Sequence, residues 1–301
     1  MNIQIITNNC NKLFPYFWNP KSIIMPVIEL NKCTRCLKCV NDCPANAITI
    51  ETGKIADTCI HCGHCIAICP EMTVFPGKGE IVPLHPHSVT ADDFNLFIAG
   101  IRSCRYYKSK EVPENILIQL ISSLKHCPSA SNARPLQITI VRSTEKIQLL
   151  NKLTEDSLIK LFSLLTSPFV SPLIKLFFPK IDLQKLKHYK EFFLEQQKVN
   201  DSLICHHAPA VILFHGPVTR TGMTEADAYI WATYTSLHAN SMGLATCFNG
   251  FIVQALGKNS KHYHNFGIPA TNRIYAALLV GYPKVKYKHE CSRESPEVSL
   301  V

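Results

Sequence analysis

The segment CTRCLKCVNDCP at residues 33–44 returns 26 residues later as CIHCGHCIAICP at residues 59–70. Both copies space their thiols as Cys-x2-Cys-x2-Cys-x3-Cys-Pro, so two equivalent half-modules are implied. The chain has 14 cysteines in 301 residues, and eight of them fall between Cys33 and Cys69. That crowding points to metal rather than to disulfides. Outward from the repeat, the N-terminal MNIQIITNNCNKLFPYFWNP lacks the basic region and unbroken apolar run of a signal peptide. The chain is therefore read as cytoplasmic, in a reducing compartment where thiols stay free to bind metal.

The spacing has a physical reason. Three cysteines at two-residue gaps wrap one face of an iron–sulfur cubane, while the fourth, turned away by the following proline, reaches the other cluster. Residues 28 to about 76 resemble a two-cluster bacterial-type ferredoxin. One [4Fe-4S] cluster would take Cys33, Cys36, Cys39 and Cys69, and the other Cys59, Cys62, Cys65 and Cys43. A zinc ribbon is the competing reading, with His61 and His64 as further ligands. It leaves the third cysteine of each triplet and both Cys-Pro pairs without a purpose.

Beyond the repeat, Pro76-Gly77-Lys78-Gly79 and the turn-rich run to Pro86 read as a linker. The organisation expected is an N-terminal extension over 1–27, a ferredoxin domain over 28–78, a linker over 79–91 and a larger domain over 92–301. The larger domain carries a helical insertion at about 154–200. Hydrophobic residues make up 47% and charged residues 18% of the chain, which excludes disordered and fibrous classes. The formal net charge is +9, yet the charges between Asn31 and Glu80 cancel, so the excess lies in the larger domain. A zinc-containing nucleic-acid module would need that charge on the cysteine segment, and no nucleic-acid partner is expected. Leu161 to Phe178 is the most apolar stretch. Only 14 residues separate Lys160 from Lys175 there, and Pro168 and Pro172 interrupt them, short of the roughly 20 that span a bilayer. A helical hairpin that covers a pocket or docks on another chain is expected instead.

In the larger domain, Asp92–Ile101 reads as a helix. Pro113 suits a first helical position, with Ile116, Leu117, Leu120, Ile121 and Leu124 at helical spacing up to Cys127-Pro128. Gln137–Val141, Ala210–Phe214 and Tyr275–Val280 read as strands. Thr224 with Asp227 resembles a capping box opening a helix to about Ser241, with Gly243 as its stop. Apolar residues from Ala226 to Ala239 lie on nearly every face of that helix, so it must be buried, in part by another subunit, with Tyr229, Trp231 and Tyr234 as core. Mixed helices and strands with few compact strand-helix-strand units give an α+β class.

Three motifs in order resemble the FMN-dependent nitroreductase family, over roughly residues 92–298. Ile101-Arg102-Ser103-Cys104-Arg105 is similar to the family's Arg-Arg-Ser-x-Arg/Lys. By that resemblance Arg102 and Ser103 hold the FMN phosphate, and Arg105 supplies charge where the reduced ring becomes anionic. Pro128-Ser129-Ala130-Ser131-Asn132-Ala133-Arg134-Pro135 is close to Pro-Ser-x-x-Asn-x-Gln-Pro-Trp, which in the family meets the FMN of the partner subunit. This makes Pro128, Ser129, Ser131 and Asn132 binding candidates across a homodimer interface, with Arg134 and Leu136 as departures. Gly243-Leu244-Ala245-Thr246-Cys247-Phe248-Asn249-Gly250 resembles the segment beside the flavin N5 edge, which implicates the backbone at Asn249 and Gly250. Arg293 matches a C-terminal phosphate-binding arginine.

The implied fold is a ferredoxin-like 2[4Fe-4S] domain followed by a nitroreductase-like flavin domain, and the implied protein is an FMN oxidoreductase. An external low-potential donor would feed electrons through the clusters to FMN and on to a small electron-poor acceptor. A nitroaromatic is the first choice, a quinone or conjugated enone the alternative, and a non-catalytic carrier or redox sensor the rival from another class. No catalytic side chain is expected, because flavin N5 carries the chemistry. Cys104, Cys127, Cys205 and Cys247 read as buried cysteines rather than nucleophiles, and His206-His207 as structural or surface groups.

Overall fold

Loops that must turn three thiols toward one centre leave little room for regular structure, and the cysteine region has little. In the computed structural model, which describes residues 25–77, 80–84, 89–199, 203–218, 222–290 and 293–301, its elements are two to five residues long. They are β1 (Val27–Ile28), α1 (Lys38–Asn41), β2 (Ile48–Thr49), β3 (Lys54–Ile55), α2 (His64–Ile68) and β4 (Val74–Phe75). β1 pairs with β4 and β2 with β3, both antiparallel. The repeat in sequence is a repeat in conformation. Arg35 and His61 both have φ 53, and each short helix is opened by a left-handed residue, Leu37 at φ 60 and Gly63 at φ 79. Only Gly63 adopts that region without a side-chain penalty. The apolar core here is Ile28, Cys39, Ile50, Cys65 and Val74. Residues 1–24 of the expected extension, residue 78 of the expected ferredoxin domain, residues 79 and 85–88 of the expected linker, and Cys291 and Ser292 lie outside the described residues.

The larger region follows with α3 (Ala91–Ala99), α4 (Glu114–Ser122), β5 (Gln137–Val141), α5 (Thr144–Leu165), α6 (Ser171–Phe177) and α7 (Leu183–Lys198). It continues with β6 (Ala210–Pro217), α8 (Thr224–Ser241), β7 (Ala245–Phe248), α9 (Gly250–Leu256) and β8 (Asn272–Gly281). The strands form one antiparallel sheet in the order β5-β6-β8-β7. In β6, Ala210, Ile212 and Phe214 enter one core and Val211 and Leu213 the other, as a period of two requires. A strand buried on both faces needs a layer on each side. α4 and α8 cover one face, with Leu117, Leu120, Ile121 and Trp231; α5, α7 and α9 cover the other, with Leu150, Leu158, Phe162, Phe193 and Ile252. The class is α+β.

Several expectations change in detail. Pro113 is the N-cap of α4 rather than its first helical residue. Met223 stands at the N-cap of α8, where a thioether offers no oxygen to the first backbone N–H groups, and one Asp227 carboxylate oxygen accepts the Ala130 backbone N–H at 3.0 Å. Trp231 is core, but Tyr229 and Tyr234 are exposed. They lie on the outer side of α8, away from Ala228, Trp231, Ala232, Thr235 and Ala239. The hairpin expected within Leu161–Phe178 is built on a larger scale. α5 continues to Leu165, and α7 returns along it so that Phe162, Tyr189 and Phe193 stack at 6.2–6.4 Å between ring centroids. Among the described residues no helix is long and apolar enough to cross a membrane.

Candidate functional site

The eight thiols of the repeat line two cavities, four to each. Cys33, Cys36, Cys39 and Cys69 line one, and Cys43, Cys59, Cys62 and Cys65 line the other. This is the crossed pairing the spacing implies: Cys43 leaves its own half-module for the second cavity and Cys69 leaves its own for the first. Among the described residues no three His, Cys, Asp or Glu side chains close to the spacing of a single-ion site.

Backbone N–H groups converge on the sulfurs. Arg35 N–H donates to Cys33 Sγ and His61 N–H to Cys59 Sγ, both at 3.4 Å, and Ala47 N–H donates to Cys43 Sγ at 3.3 Å. Thr73 N–H donates to Cys69 Sγ at 3.4 Å. Donors placed around sulfur favour thiolate, the form that binds metal. The effect is legible in Cys69, where burial pushes the thiol up but hydrogen bonds from Thr73 outweigh it and hold the pKa low. Burial wins at Cys39, which is raised, and at Cys65, raised to about 11. Iron binding must displace those protons. Thiols four at a time around a cavity, with N–H donors on the sulfurs, fit a cubane.

In the larger region the predicted residues fall into groups. Cys104 N–H donates to Thr246 O at 2.9 Å, which ties the Arg102–Arg105 loop to the outer edge of β7. Tyr107 continues the loop by bridging Pro283. The first and third motifs therefore meet. Arg102 is half-buried, and its Nη1 donates to Ala99 O and Ile101 O at 2.6 and 2.8 Å. Ser103 and Arg105 are exposed, and Arg105 donates to Ser103 O at 3.4 Å. Gly250 is exposed, with nothing within 4 Å of where a Cβ would stand. The Asn249 side chain is spent inside the protein. It accepts from Ile252 N–H as the cap of α9 and donates to Ile204 O at 2.6 Å. Phe251 packs edge-on against Tyr189 and Phe193 at 6.2 and 5.7 Å, so the helical insertion reaches the segment that follows Gly250.

The Pro128–Pro135 segment stands elsewhere. It leads into β5, the opposite edge of the sheet from β7, with β6 and β8 between them; three interstrand spacings are about 14 Å. Its shape is fixed by Trp231, Asp227 and Arg134, residues whose sequence context points to other roles. Trp231 Nε1 donates to Pro128 O at 3.0 Å, and Asp227 holds Ala130. Arg134 donates to Cys127 O and Leu124 O at 2.9 and 2.7 Å and lies 5.1 Å from the Trp231 ring centroid. The Ser129 hydroxyl accepts Arg134 N–H at 3.0 Å, while Ser131 is exposed. Asn132 Nδ2 donates to Ile60 O at 3.0 Å and His61 O at 2.9 Å, in the cysteine region. No local signal announces partners 71 and 72 residues away. Arg293 is exposed in the C-terminal segment, and among the described residues no hydrogen bond or ion pair brings it to Arg102.

Cys127, Cys205 and Cys247 are buried and suit packing. Burial raises Cys127 to about 11 and Cys205 to about 12, and raises Cys247, which leaves none as an activated nucleophile. A cavity of about 610 Å³, lined by Lys108, Arg142, Lys152, Glu155 and His207 among others, contains none of the predicted flavin residues.

A model of the nitroreductase family matches residues 98–282, and a model of a 4Fe-4S dicluster domain matches residues 25–70. Over 46 residues the chain is 40% identical to an uncharacterized ferredoxin of Methanocaldococcus jannaschii, covering 14% of this chain and 74% of that protein. Over 95 residues it is 27% identical to NADH-quinone oxidoreductase subunit I 2 of Symbiobacterium thermophilum, covering 27% of this chain. The match spans only 38% of that relative's length. A solved nitroreductase of Bacteroides fragilis with bound FMN shares the fold, with a TM-score of 0.51 at 19% identity over 69% of this chain and 97% of that one.

Proposed function

The chain belongs to the nitroreductase family, and on that premise we propose that it is an FMN oxidoreductase fed by its own two [4Fe-4S] clusters. Electrons from an external low-potential donor pass through the clusters to FMN and leave to a small electron-poor acceptor, of which a nitroaromatic is the representative. The carrying observation is that eight thiols divide four and four around two cavities in the same chain as the flavin fold. A carrier or sensor would need only the first of these.

When bound, FMN supplies one- and two-electron chemistry at its ring. The protein's own residues bind and orient. Cys33, Cys36, Cys39 and Cys69 hold one cluster and Cys43, Cys59, Cys62 and Cys65 the other. Around them the N–H donors of Arg35, Ala47, His61 and Thr73 stabilise negative sulfur. Arg102 keeps further guanidinium donors beyond the Nη1 bonds to its own loop, enough to take a phosphate with Ser103; Arg293 would join them from the tail. Arg105 offers an exposed cation beside β7, and the open side of Gly250 lets a flat ring approach the backbone at Asn249.

Two features support a homodimer. The predicted flavin residues lie on opposite edges of the sheet, so one subunit's Pro128, Ser129 and Ser131 would complete the site at the β7 edge of the other under two-fold symmetry, while the Asn132 side chain is already engaged by Ile60 and His61. Apolar surface also awaits a cover: α3 buries none of its residues, and α8 exposes Tyr229, Ile230 and Tyr234. The test is composition. Protein purified without oxygen should carry about eight iron and eight sulfide per chain, the content of two cubanes, and one FMN per subunit. Stoichiometric zinc, or FAD in place of FMN, would overturn the assignment.

A further inference from the structure

The two half-modules are alike in sequence and conformation, yet they face different surroundings. Thr34, Arg35, Cys36 and Leu37 are all exposed, whereas their counterparts Ile60, His61, Cys62 and Gly63 are all half-buried. Asn132 contacts the more buried of the two loops. Its Nδ2 carries two N–H donors, and both are used, on the carbonyls of Ile60 and His61. Those two residues lie between Cys59 and Cys62, which line the second cavity. Both partners are carbonyls and only accept, so the amide must present nitrogen rather than oxygen. Asn132 is itself held in an uncommon conformation, φ 50, within a turn where Ser131 at φ 50 and Arg134 at φ 46 share it. Asp227, Trp231 and Arg134 pin that turn from the core side. A side chain on a rigid turn, with both donors committed to one loop, works as a latch.

We propose that Asn132 is a positioning residue that latches the Cys59–Cys62 loop to the flavin domain, making the Cys43, Cys59, Cys62, Cys65 site the one through which electrons leave the ferredoxin region. The solvent-facing Cys33, Cys36, Cys39, Cys69 site is then where they come in, from a donor able to meet exposed Arg35 and Lys38 with carboxylates. With clusters and FMN bound, each crossing would carry one electron: the electron given up at the second site would be gained by the flavin and replaced from the external donor by way of the first site. This rests on the proposed cluster and flavin content.

Amide hydrogen exchange on the anaerobic full-length protein tests it, with iron and flavin assayed in the same sample. In the wild type, the amides of 59–64 should exchange about tenfold more slowly than those of 33–38, since local opening must first break the latch. Asn132→Ala should abolish that difference by speeding the second loop alone. Asn132→Asp, which turns a carboxylate toward two carbonyls, should speed it further, and Asn132→Ser, the milder change should Ala not fold, should fall between. Equal exchange of the two loops in the wild type, or an unchanged second loop in the variants, overturns the latch. So does a variant that loses flavin while that loop stays protected, since Asn132 would then serve the cofactor. If iron or FMN is missing from the wild type, the functional reading fails instead.

Discussion

The cysteine region and the sheet region solve the same problem with different materials. The sheet region buries apolar side chains on both faces of β6 and closes a helical layer over each. The cysteine region has two-residue strands and an apolar core of Ile28, Cys39, Ile50, Cys65 and Val74, two of which are themselves expected ligands. A segment of that size is marginal by packing alone. The lesson is that one half of the chain is held by what it buries and the other by what it binds.

Removing iron should break the comparison most plainly. Chelation under reducing conditions should unfold residues 25–76, because metal-binding energy is folding energy in such a domain. The sheet region should persist, and site-resolved exchange or limited proteolysis would show one region lost and the other kept. The converse change is Phe214→Ala, at a fully buried position of β6. It should cost the sheet region about 3–5 kcal/mol, read by denaturant unfolding followed through Trp231 fluorescence, and leave the iron–sulfur absorption in place.

A proton should also distinguish them. His215 is buried between Thr139 Oγ1 at 3.0 Å and Asn272 Nδ2 at 2.9 Å. The amide donates to Nδ1, so Nε2–H donates to the threonine and the ring is neutral. Burial pulls its pKa from 6.5 down to about 4. Between those values the unfolded chain binds the extra proton, so stability present above pH 6.5 is lost as pH falls toward 4, by up to about 3 kcal/mol. Tm measured from pH 7 to 4.5 should fall, and His215→Gln should flatten this part of the slope. The smallest effect expected is Arg102→Ala, which would remove the proposed charge-assisted phosphate contact, of about 1.5–3 kcal/mol. FMN retention on gel filtration should weaken while the cluster absorption stays unchanged.

What was legible in the sequence follows the range of the forces involved. The repeat of four thiols was readable because its gaps are short and fixed, as a cubane would require. Strand 210–214 was readable because a doubly covered strand is apolar throughout, strand 137–141 because Ile138, Ile140 and Val141 alternate with Gln137 and Thr139, and the end of α8 because Gly243, at φ 77, stops that helix. Asp227 was misjudged because a carboxylate near a helix start has two uses, capping its own helix or gripping another segment. Only the fold brings Ala130 to it. Tyr229 and Tyr234 were placed in the core because composition cannot tell a face covered within the chain from one left open. Asn132 was assigned by motif to the cofactor, and its bonds to Ile60 and His61 depend on how two regions dock, which no local pattern encodes.

That docking has a consequence for mass action. The two hydrogen bonds of the Asn132 side chain are far fewer than the roughly ten that a stable interface between separate proteins carries. Joined covalently, however, the two surfaces meet at an effective concentration on the order of millimolar, whatever the protein concentration around them. A free ferredoxin competing for the same turn would have to exceed that local value, so on the proposed electron path the flavin domain would be supplied by its own carrier at any dilution. The weakness of the latch then sets how quickly the carrier can let go and return.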